Sequence, residues 1–140
     1  ILASRTMTVA GPTWSDVTLQ IDAEIVSNCP SCGDIQRLVF RYLDPDNNCA
    51  VYFSRYYGVV GVEQWTGGRR MFAEVPLSPN VGQWYTLGAV VMGAGVEVHL
   101  DGVLMLGWTL PDGTTRGRIG LSTDRDQAYF DNVIVHSCAP

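Results

Sequence analysis

Apolar and polar residues alternate along several short segments of this chain, as they do in β-strands that bury one face. Between residues 17 and 25 every second side chain is apolar, and residues 96–101 show the same alternation. Asp101-Gly102 ends the second segment. This dipeptide is a strong hairpin signal, because both residues tolerate the positive φ angles of a tight turn. The pattern therefore predicts paired antiparallel strands.

Turn residues divide the rest of the chain into further short apolar runs. The separating segments are rich in Gly, Pro, Asn and Asp, which favour tight turns, and they read NCPSCGD, DPDNN, YG, TGG and PLSPNVG. No apolar stripe of helical spacing extends over three turns. We therefore predict about eleven strands in an all-β fold, a two-sheet antiparallel β-sandwich with almost no helix. We expect a single domain over residues 1–140, in which residues 84–135 form an antiparallel meander.

The charge and hydropathy of the chain argue against two classes of partner. The formal net charge is −5, and the nine basic residues are all arginine, whereas nucleic acids and anionic membranes attract basic patches. No apolar run approaches the roughly 20 residues of a membrane-spanning helix. We therefore expect neither a nucleic-acid partner nor a membrane span. Because the chain starts at Ile1 without a signal-peptide pattern, we expect a processed mature protein or an excised domain.

The four cysteines, Cys29, Cys32, Cys49 and Cys138, favour disulfides and an oxidising compartment. A zinc site or a redox-active pair is the alternative for the CPSC motif at residues 29–32. Zinc would require Cys49 and Cys138 to converge on that motif, and a redox motif belongs beside a βα unit. We therefore expect disulfides rather than either alternative.

Motifs for catalysis are scarce in this sequence. It contains no G-x-S-x-G, no H-E-x-x-H and no P-loop lysine. Glu63 and Glu74, on neighbouring predicted strands, are the only carboxylates we can pair across one face as glycosidic hydrolysis requires. Two solvated strand carboxylates explain them more simply. We therefore expect a protein that is not an enzyme.

One predicted sheet face combines aromatic rings with arginine and glutamate. Alternation, with Ala50, Tyr52 and Ser54 inward, predicts that these side chains face outward: Arg41, Phe53, Arg55, Tyr57, Glu63, Trp65, Arg70, Phe72 and Glu74. Exposed aromatic patches usually mark interaction sites. Sugars stack their C–H faces on aromatic rings, while arginine and carboxylates bond the hydroxyl groups. The face therefore predicts a glycan site formed by Trp65, Tyr57, Arg41, Arg55, Glu63 and Phe72. Two alternatives stay open: Trp65 and Phe72 belong to the core, or another copy of the protein covers this face.

Several segments of the chain resemble a known group of folds. The order W-x-x-L, VEVHLDG, GRIGL and FDNVIV, together with GDIQRLVFRYLDPDNNCAVYFSR, is similar to concanavalin A-like and laminin G-like jelly rolls. The resemblance covers most of the chain. It implies a jelly-roll sandwich, an extracellular location and, in many members, carbohydrate binding. One departure is Cys49-Ala50, where members of these families usually carry aromatic residues.

The resemblance also implies a metal ligand and a disulfide pairing. Asp131 in FDNV matches the position of an aspartate that helps to hold structural calcium in many of these jelly rolls. In such jelly rolls the last strand pairs with the first, here residues 16–27, and we expect residues 36–44 to be the hairpin partner of that strand. This topology brings Cys138 to the same end of the molecule as Cys49. We therefore expect the disulfides Cys49–Cys138 and Cys29–Cys32.

These expectations combine into one principal interpretation and two alternatives. The chain is interpreted as a secreted, non-catalytic, lectin-like domain that binds a polysaccharide or glycan, as carbohydrate-binding modules do. The first alternative is a structural or adhesion subunit of an extracellular assembly or filament, with self-association or fused extracellular domains as its partners. The second alternative is a glycoside-processing enzyme of the disaccharide-hydrolase type. Fold alone does not decide among them.

Overall fold

A computed structural model describes residues 5–26, 33–124 and 128–138 of the chain. These residues form eleven β-strands and no helix. The strands are β1 (Arg5–Trp14), β2 (Val17–Ile25), β3 (Ile35–Asp44), β4 (Asn47–Ser54), β5 (Val59–Thr66), β6 (Arg69–Pro76), β7 (Trp84–Met92), β8 (Gly95–Leu100), β9 (Val103–Thr109), β10 (Gly117–Asp124) and β11 (Ala128–Ser137). Within the described ranges, no helix has the length and apolarity needed to cross a membrane.

The strands assemble into two sheets in which all neighbours are antiparallel. One sheet has six strands in the order β1-β10-β3-β4-β5-β6, and the other has five in the order β11-β2-β7-β8-β9. The predicted all-β, two-sheet antiparallel sandwich is therefore confirmed.

The two sheets bury their facing sides against each other. In the five-stranded sheet, β2, β7 and β8 alternate between buried apolar residues and more exposed ones, as the period of a strand requires. Val96, Val98 and Leu100 are buried as predicted. Across the interface, the six-stranded sheet contributes side chains such as Phe40 and Phe53 to the same hydrophobic cluster. Burial of this cluster, at about 25 cal/mol per Å² of apolar surface, is the main stabilising contribution.

The predicted hairpin at Asp101-Gly102 is confirmed. Both residues have positive φ angles, 50° and 79°, as a two-residue hairpin turn demands. The side chain of Asp101 adds a second support, because its Oδ1 accepts a hydrogen bond from the backbone N–H of Thr86 at 2.8 Å. The predicted meander over residues 84–135 is only partly correct. It ends at β9, since β10 lies in the other sheet between β1 and β3.

Two predictions about strand pairing have different outcomes. The last strand, β11, does pair antiparallel with β2, as the resemblance implied. The expectation that β2 and β3 form a hairpin is wrong, because β2 lies between β11 and β7 while β3 belongs to the opposite sheet. The strand β1 is not predicted by the pattern of apolar residues. Its apolar run is interrupted by Gly11-Pro12, and the register of β1 against β10 shifts between Ala10 and Trp14.

The expected disulfide between Cys49 and Cys138 is contradicted, since both residues are free thiols. Cys49 lies inside the six-stranded sheet, paired with Phe40 and Gln64 and buried in the core. Cys138 follows β11 in the other sheet, where its N–H donates to the carbonyl of Asp16. Packed sheets lie about 10 Å apart, whereas a disulfide needs Cα atoms within about 7 Å. Cys29 and Cys32 lie outside the described residues.

Candidate binding cleft

A cleft lies on the outer face of the six-stranded sheet, over β3, β4, β5 and β6. It encloses about 410 Å³ and is lined by Ile35, Arg37, Tyr52, Tyr57, Val59, Trp65, Arg70 and Glu74. We refer to it as the outer cleft. The register of the strands brings these side chains to one face, because Arg37 lies opposite Tyr52 and Trp65 opposite Arg70. Its volume lies within the range of roughly 300–1,000 Å³ that is usual for ligand pockets.

The carboxylate of Glu63 lies behind the lining residues Arg37, Trp65 and Arg70 of the outer cleft and is fully buried, with 0% exposure. Arg37 Nε donates to Glu63 Oε2 at 2.7 Å, and Arg70 Nε donates to Glu63 Oε1 at 2.8 Å. The indole N–H of Trp65 also donates to Glu63 Oε2, at 3.1 Å. A buried carboxylate needs such partners, because an unpaired charge in the interior is very costly. Glu63 therefore holds two guanidinium groups and one indole ring in fixed positions.

The protonation state of Glu63 follows from these contacts. Burial by itself raises the pKa of the carboxyl, but the charges and hydrogen bonds of Arg37 and Arg70 outweigh burial and hold the pKa below its usual value. Glu63 is therefore an ionised hydrogen-bond acceptor over the neutral pH range. Because Arg37, Arg70 and Trp65 all donate to its two oxygens, the carboxylate is engaged within the protein.

Arg70 connects the Glu63 carboxylate to aromatic residues nearby. Its guanidinium carbon lies 4.2 Å from the ring centroid of Phe72 and 5.4 Å from that of Tyr52, both cation–π distances. Its Nη2 also donates to the hydroxyl of Tyr52 at 3.1 Å. About a quarter of the Arg70 side chain, 26%, stays exposed, compared with 4% for Arg37. Arg70 is therefore the arginine of the outer cleft that a ligand can reach.

Tyr52 extends across β5 because Gly61 leaves room for it. A Cβ atom on Gly61 would lie 2.7 Å from the Tyr52 hydroxyl, closer than carbon and oxygen can approach. Through this gap the hydroxyl reaches Glu74 and donates to its Oε2 at 2.7 Å. Burial, followed by the hydrogen bond to Glu74, raises the pKa of Tyr52, so the phenol stays protonated as a donor. Glu74 is thereby fixed at the rim of the outer cleft.

Tyr57 lies on the turn between β4 and β5 and lines the outer cleft from that end. The turn is anchored by the buried Asp34, whose Oδ1 accepts the N–H of Tyr56 at 2.8 Å and whose Oδ2 accepts the N–H of Arg55 at 3.3 Å. Ser54 accepts the N–H of Tyr57 on its hydroxyl at 3.1 Å and donates to the carbonyl of Asp34. The half-exposed ring of Tyr57 therefore stands on an ordered turn.

Most of the outward positions predicted on β5 and β6 agree with the structure. Glu63, Trp65 and Arg70 meet in one network, and Glu74 lies at its rim. Phe72 is half-exposed under the guanidinium of Arg70 and does not itself line the outer cleft. Whether these residues bind a ligand stays a prediction, as does the role predicted for Tyr57.

Two side chains predicted to face outward, Arg41 and Phe53, do not. Arg41 does not face outward: it is 2% exposed, with a positive φ of 49° at an irregularity in β3. Its Nη1 donates to the carbonyls of Gly93 and Thr114, and its Nη2 to that of Ser15, so the side chain connects loops at one end of the sandwich. Phe53 is fully buried in the core, because β4 turns the opposite face outward from the one predicted.

The reversed face of β4 explains what sequence reasoning missed. Alternation predicts Tyr52 to face inward, but it faces the outer cleft, as does Arg37 opposite it on β3. Residues 36–41 of β3 and 48–54 of β4 are all buried, so neither strand shows a clear alternation that fixes which side chains face the core. Arg55 was predicted to face a ligand; it follows the end of β4 and does not line the outer cleft. Its backbone N–H anchors the turn on Asp34 instead.

The surroundings of Asp131 bear on the calcium expected there. Asp131 lies opposite Asp22, and its Oδ1 accepts the N–H of Asn132 at 2.8 Å. Asn132 and Thr86 each donate to Asp22 at 2.7 Å, and these hydrogen bonds lower the pKa of Asp22. In the described part of the chain, no three His, Cys, Asp or Glu side chains converge on one point. Calcium takes six to eight oxygens. The described side chains do not fit it by themselves, and calcium at Asp131 stays a prediction.

The fold defined by these strands is a concanavalin A-like jelly roll, as the resemblance implied. No protein-family model matches the chain, and no curated protein matches it in sequence. Solved structures do match it. The carbohydrate-binding module CBM66 from Bacillus subtilis aligns with a TM-score of 0.86 and 21% identity, over 95% of this chain and 82% of the module.

Two further structures show how widely this fold is shared. A β-glucanase from Bacillus licheniformis aligns with a TM-score of 0.70 and 13% identity, over 96% of this chain and 78% of the glucanase. The galectin LEC-6 from Caenorhabditis elegans aligns with a TM-score of 0.64 and 11% identity, over 91% of this chain and 90% of the galectin. At these identities the similarity establishes the fold, and function has to be argued from the site.

Proposed function

We propose that this chain is a non-catalytic carbohydrate-binding domain that holds a glycan in the outer cleft. The observation that carries this proposal is the network on Glu63, which fixes Arg37, Arg70 and the indole of Trp65 around one buried carboxylate. A site whose side chains are fixed before the ligand arrives loses little conformational entropy on binding, and this increases affinity. The network therefore favours a ligand-binding role for this face.

The chemical groups of the outer cleft match those of a sugar. The rings of Trp65 and Tyr57 offer apolar surfaces for the C–H faces of a pyranose or furanose. Arg70 offers N–H donors, and Glu74 offers an acceptor, for hydroxyl groups. Glu63 has a different role from the one expected: because its oxygens already accept four hydrogen bonds, it positions the ligand-facing groups.

The electrostatics of the outer cleft support binding rather than hydrolysis. Glycosidases need one carboxylic acid with a raised pKa to protonate the leaving oxygen. The pKa of Glu63 is lowered, so it is ionised when such an acid must carry a proton. Glu74, its diagonal neighbour on β6, already accepts the hydroxyl of Tyr52. This argues against the alternative of a glycoside-processing enzyme.

The structural neighbours are consistent with a glycan as the ligand, since they include a module described as carbohydrate-binding and a galectin. Our proposal includes secretion, as polysaccharides and glycoconjugates are found mainly outside the cell. Calcium at Asp131, on β11 of the other sheet, is a separate expectation on which this proposal does not depend.

A panel of immobilised plant, fungal and bacterial polysaccharides tests the proposal. The wild-type chain should bind at least one of them, and Arg70→Ala should abolish or strongly weaken that signal. Arg116→Ala is the matched control, because Arg116 is an exposed arginine near Thr13, away from the outer cleft. Binding that survives Arg70→Ala would place the ligand elsewhere. Release of reducing sugars from the bound polysaccharide would instead identify an enzyme.

A second candidate is a structural subunit that assembles with copies of itself. It is favoured by exposed apolar side chains on the two edge strands of the five-stranded sheet, namely Val103 and Leu104 on β9 and Val133 and Ile134 on β11. Exposed apolar patches of this kind often mark protein contacts. Sedimentation across a dilution series tests it: a mass that stays at 15.3 kDa at every concentration would reject assembly.

A further inference from the structure

We propose that Asp34 and Ser54 are positioning residues for the proposed glycan site, and that they act through Tyr57. This inference rests on the proposed function. Neither residue lines the outer cleft, and both are fully buried, with 0% exposure. Tyr57, in contrast, is 53% exposed and forms one end of the outer cleft. The connection between them is built from hydrogen bonds to the backbone of the turn.

Asp34 supplies most of these hydrogen bonds. Its Oδ1 accepts the N–H of Tyr56, and its Oδ2 accepts the N–H of Arg55. Two backbone N–H groups after the end of β4 are thus satisfied by a single buried carboxylate. Hydrogen bonds to a charged group are stronger than those between neutral groups, and a buried donor without a partner is costly. The turn therefore has one strongly favoured conformation.

Ser54 connects Asp34 to Tyr57 through two hydrogen bonds. Its hydroxyl donates to the carbonyl oxygen of Asp34 and accepts the N–H of Tyr57 at 3.1 Å. A hydroxyl offers one donor and two acceptor lone pairs, so both contacts can exist together. The backbone of Tyr57, in the β4–β5 turn, is thereby attached through Ser54 to the segment before β3 that carries Asp34.

Gly33 completes the arrangement by supporting the ring itself. A Cβ atom on Gly33 would lie 2.8 Å from the hydroxyl oxygen of Tyr57 and 3.4 Å from the ring carbon that bears it. The ring of Tyr57 therefore packs directly against the backbone of Gly33, which has no side chain to displace it. Tyr56 adds an edge contact, with its ring centroid 4.9 Å from that of Tyr57 at an interplanar angle of 86°. The backbone of Tyr57 is thus fixed by Ser54, and its ring packs against Gly33 and Tyr56.

This arrangement gives Tyr57 a role that exposure alone would not suggest. A half-exposed tyrosine on a loose turn would lose rotamer and backbone freedom when a ligand stacks on it, which weakens binding. Here the turn is ordered by residues beneath it, so the ring is already placed in the absence of a ligand. Asp34 and Ser54 are accordingly expected to increase affinity without contacting the sugar.

A double-mutant cycle on binding tests the inference. The probe is a reducing-end-labelled oligosaccharide prepared from the polysaccharide that the wild-type chain binds most strongly. Tyr57→Ala should weaken its affinity by about tenfold, the size of one lost stacking contact. Asp34→Asn and Ser54→Ala should each weaken affinity by a smaller factor. In the Tyr57→Ala background, both substitutions should have no further effect on affinity.

The controls separate this effect from a general loss of stability. Asp101→Asn alters an aspartate that anchors a turn of the other sheet through Thr86, and it should leave affinity unchanged. Losses that multiply in the double variants, or a Ser54→Ala variant that binds like the wild type, would overturn the inference. If Asp34→Asn does not fold, the cycle is complete with Ser54→Ala alone.

Amide hydrogen exchange tests the same inference without a ligand. Exchange at Tyr56 and Tyr57 should be faster in Ser54→Ala than in the wild type, while exchange at core amides of β5 stays the same. Equal rates in the two proteins would contradict an ordered turn held by Ser54. If Trp65→Ala and Arg70→Ala bind the oligosaccharide normally, the proposed function is rejected. Failure of the proposed function is therefore distinguishable from failure of the positioning role of Asp34 and Ser54.

Discussion

Arg37 and Glu63 form a buried ion pair at the base of the outer cleft, with 2.7 Å between Arg37 Nε and Glu63 Oε2. The side-chain exposures are 4% and 0%. Charges removed from water to this extent are stable only when the ionic contact is accompanied by further hydrogen bonds. Arg70 and Trp65 donate such hydrogen bonds to Glu63. Arg37 has a second ion pair, with 2.7 Å between its Nη1 and Asp124 Oδ2. The network therefore connects β10, β3, β5 and β6.

Replacing Glu63 with glutamine should strongly destabilise the protein. Glu63→Gln removes the negative charge shared by Arg37 and Arg70. It also replaces one of the two acceptor oxygens with an NH2 group, which donates. Removing one partner of a buried ion pair costs about 3–5 kcal/mol of unfolding free energy, which urea denaturation would measure. Glu97→Gln is the control, because Glu97 forms an exposed pair with His99 on the other sheet and should change stability by less than about 0.5 kcal/mol.

Glu63 should also make the unfolding free energy depend on pH in the acid range. Since the pKa of Glu63 is lower in the folded protein than its ordinary value of 4.5, the ionised form stabilises the fold at and above that pH. This stabilisation is lost as the pH falls below 4.5 through the folded-state pKa. The unfolding free energy of the wild type should therefore fall more steeply in acid than that of Glu63→Gln. Parallel acid profiles for the two proteins would show that folding does not lower the pKa of Glu63.

Trp65→Ala should weaken glycan binding and preserve the fold. Trp65 is only partly buried and lies at the end of β5, so its removal leaves the core cluster intact. Losing one stacked aromatic contact is expected to cost about 1–3 kcal/mol of binding free energy, as titration calorimetry would show. Trp84→Ala is the matched control, since Trp84 is an exposed tryptophan of the other sheet. Equal losses in the two variants would mean that the outer cleft is not the binding site.

Strand faces could be predicted where alternation is clear and not where both faces are buried. On β2 and β8 one face is apolar and the other polar, so the sequence determines which side meets the core. On β4 the side chains that face the core and those that face outward are equally buried, because residues 48–54 are all buried. Phe53 and Tyr52 are then equally plausible as core residues by hydropathy. Only the register with β3 and β5 distinguishes them.

Arg41 and β10 show two further limits of prediction from sequence. Arg41 adopts a positive φ where the register of β3 shifts, and this reverses the direction that simple alternation assigns to its side chain. The strand β10 crosses to the other sheet after β9, although its local pattern resembles that of its neighbours. Its place there depends on pairing with β1 and β3, which are distant in the sequence, and this information is not present in a local window of sequence.

Gly117→Ala should be far more harmful than the same change at Gly113. A Cβ atom on Gly117 would lie 2.3 Å from the carbonyl carbon of Arg41 and 2.5 Å from the backbone nitrogen of Tyr42, so β10 and β3 would have to separate. Overpacking of this kind costs about 1–3 kcal/mol, and more when backbone must move. Gly113 has no atom within 4 Å of the corresponding position. Thermal unfolding of both variants checks this, and similar midpoints would contradict the close contact.

Cys49 should resist alkylation in the native protein, whereas Cys138 should react. Burial raises the pKa of Cys49 to about 12, against the smaller opposing effect of the nearby Arg41 charge, so almost no thiolate forms at neutral pH. Its side chain also lies in the core, where a reagent cannot reach it. Cys138 follows the last strand and is partly exposed. Iodoacetamide labelling without a reductant, followed by peptide mass analysis, distinguishes the two sites.

The labelling pattern also decides whether the sulfur atoms are free in solution. With free thiols, Cys138 but not Cys49 should be modified in native protein, and both of these residues should be modified in denatured protein. A Cys49–Cys138 disulfide would instead protect both residues in native and denatured protein until a reductant is added. That outcome would require the end of β11 to approach β4 across the core, and would contradict the separation of the two sheets seen in the structure.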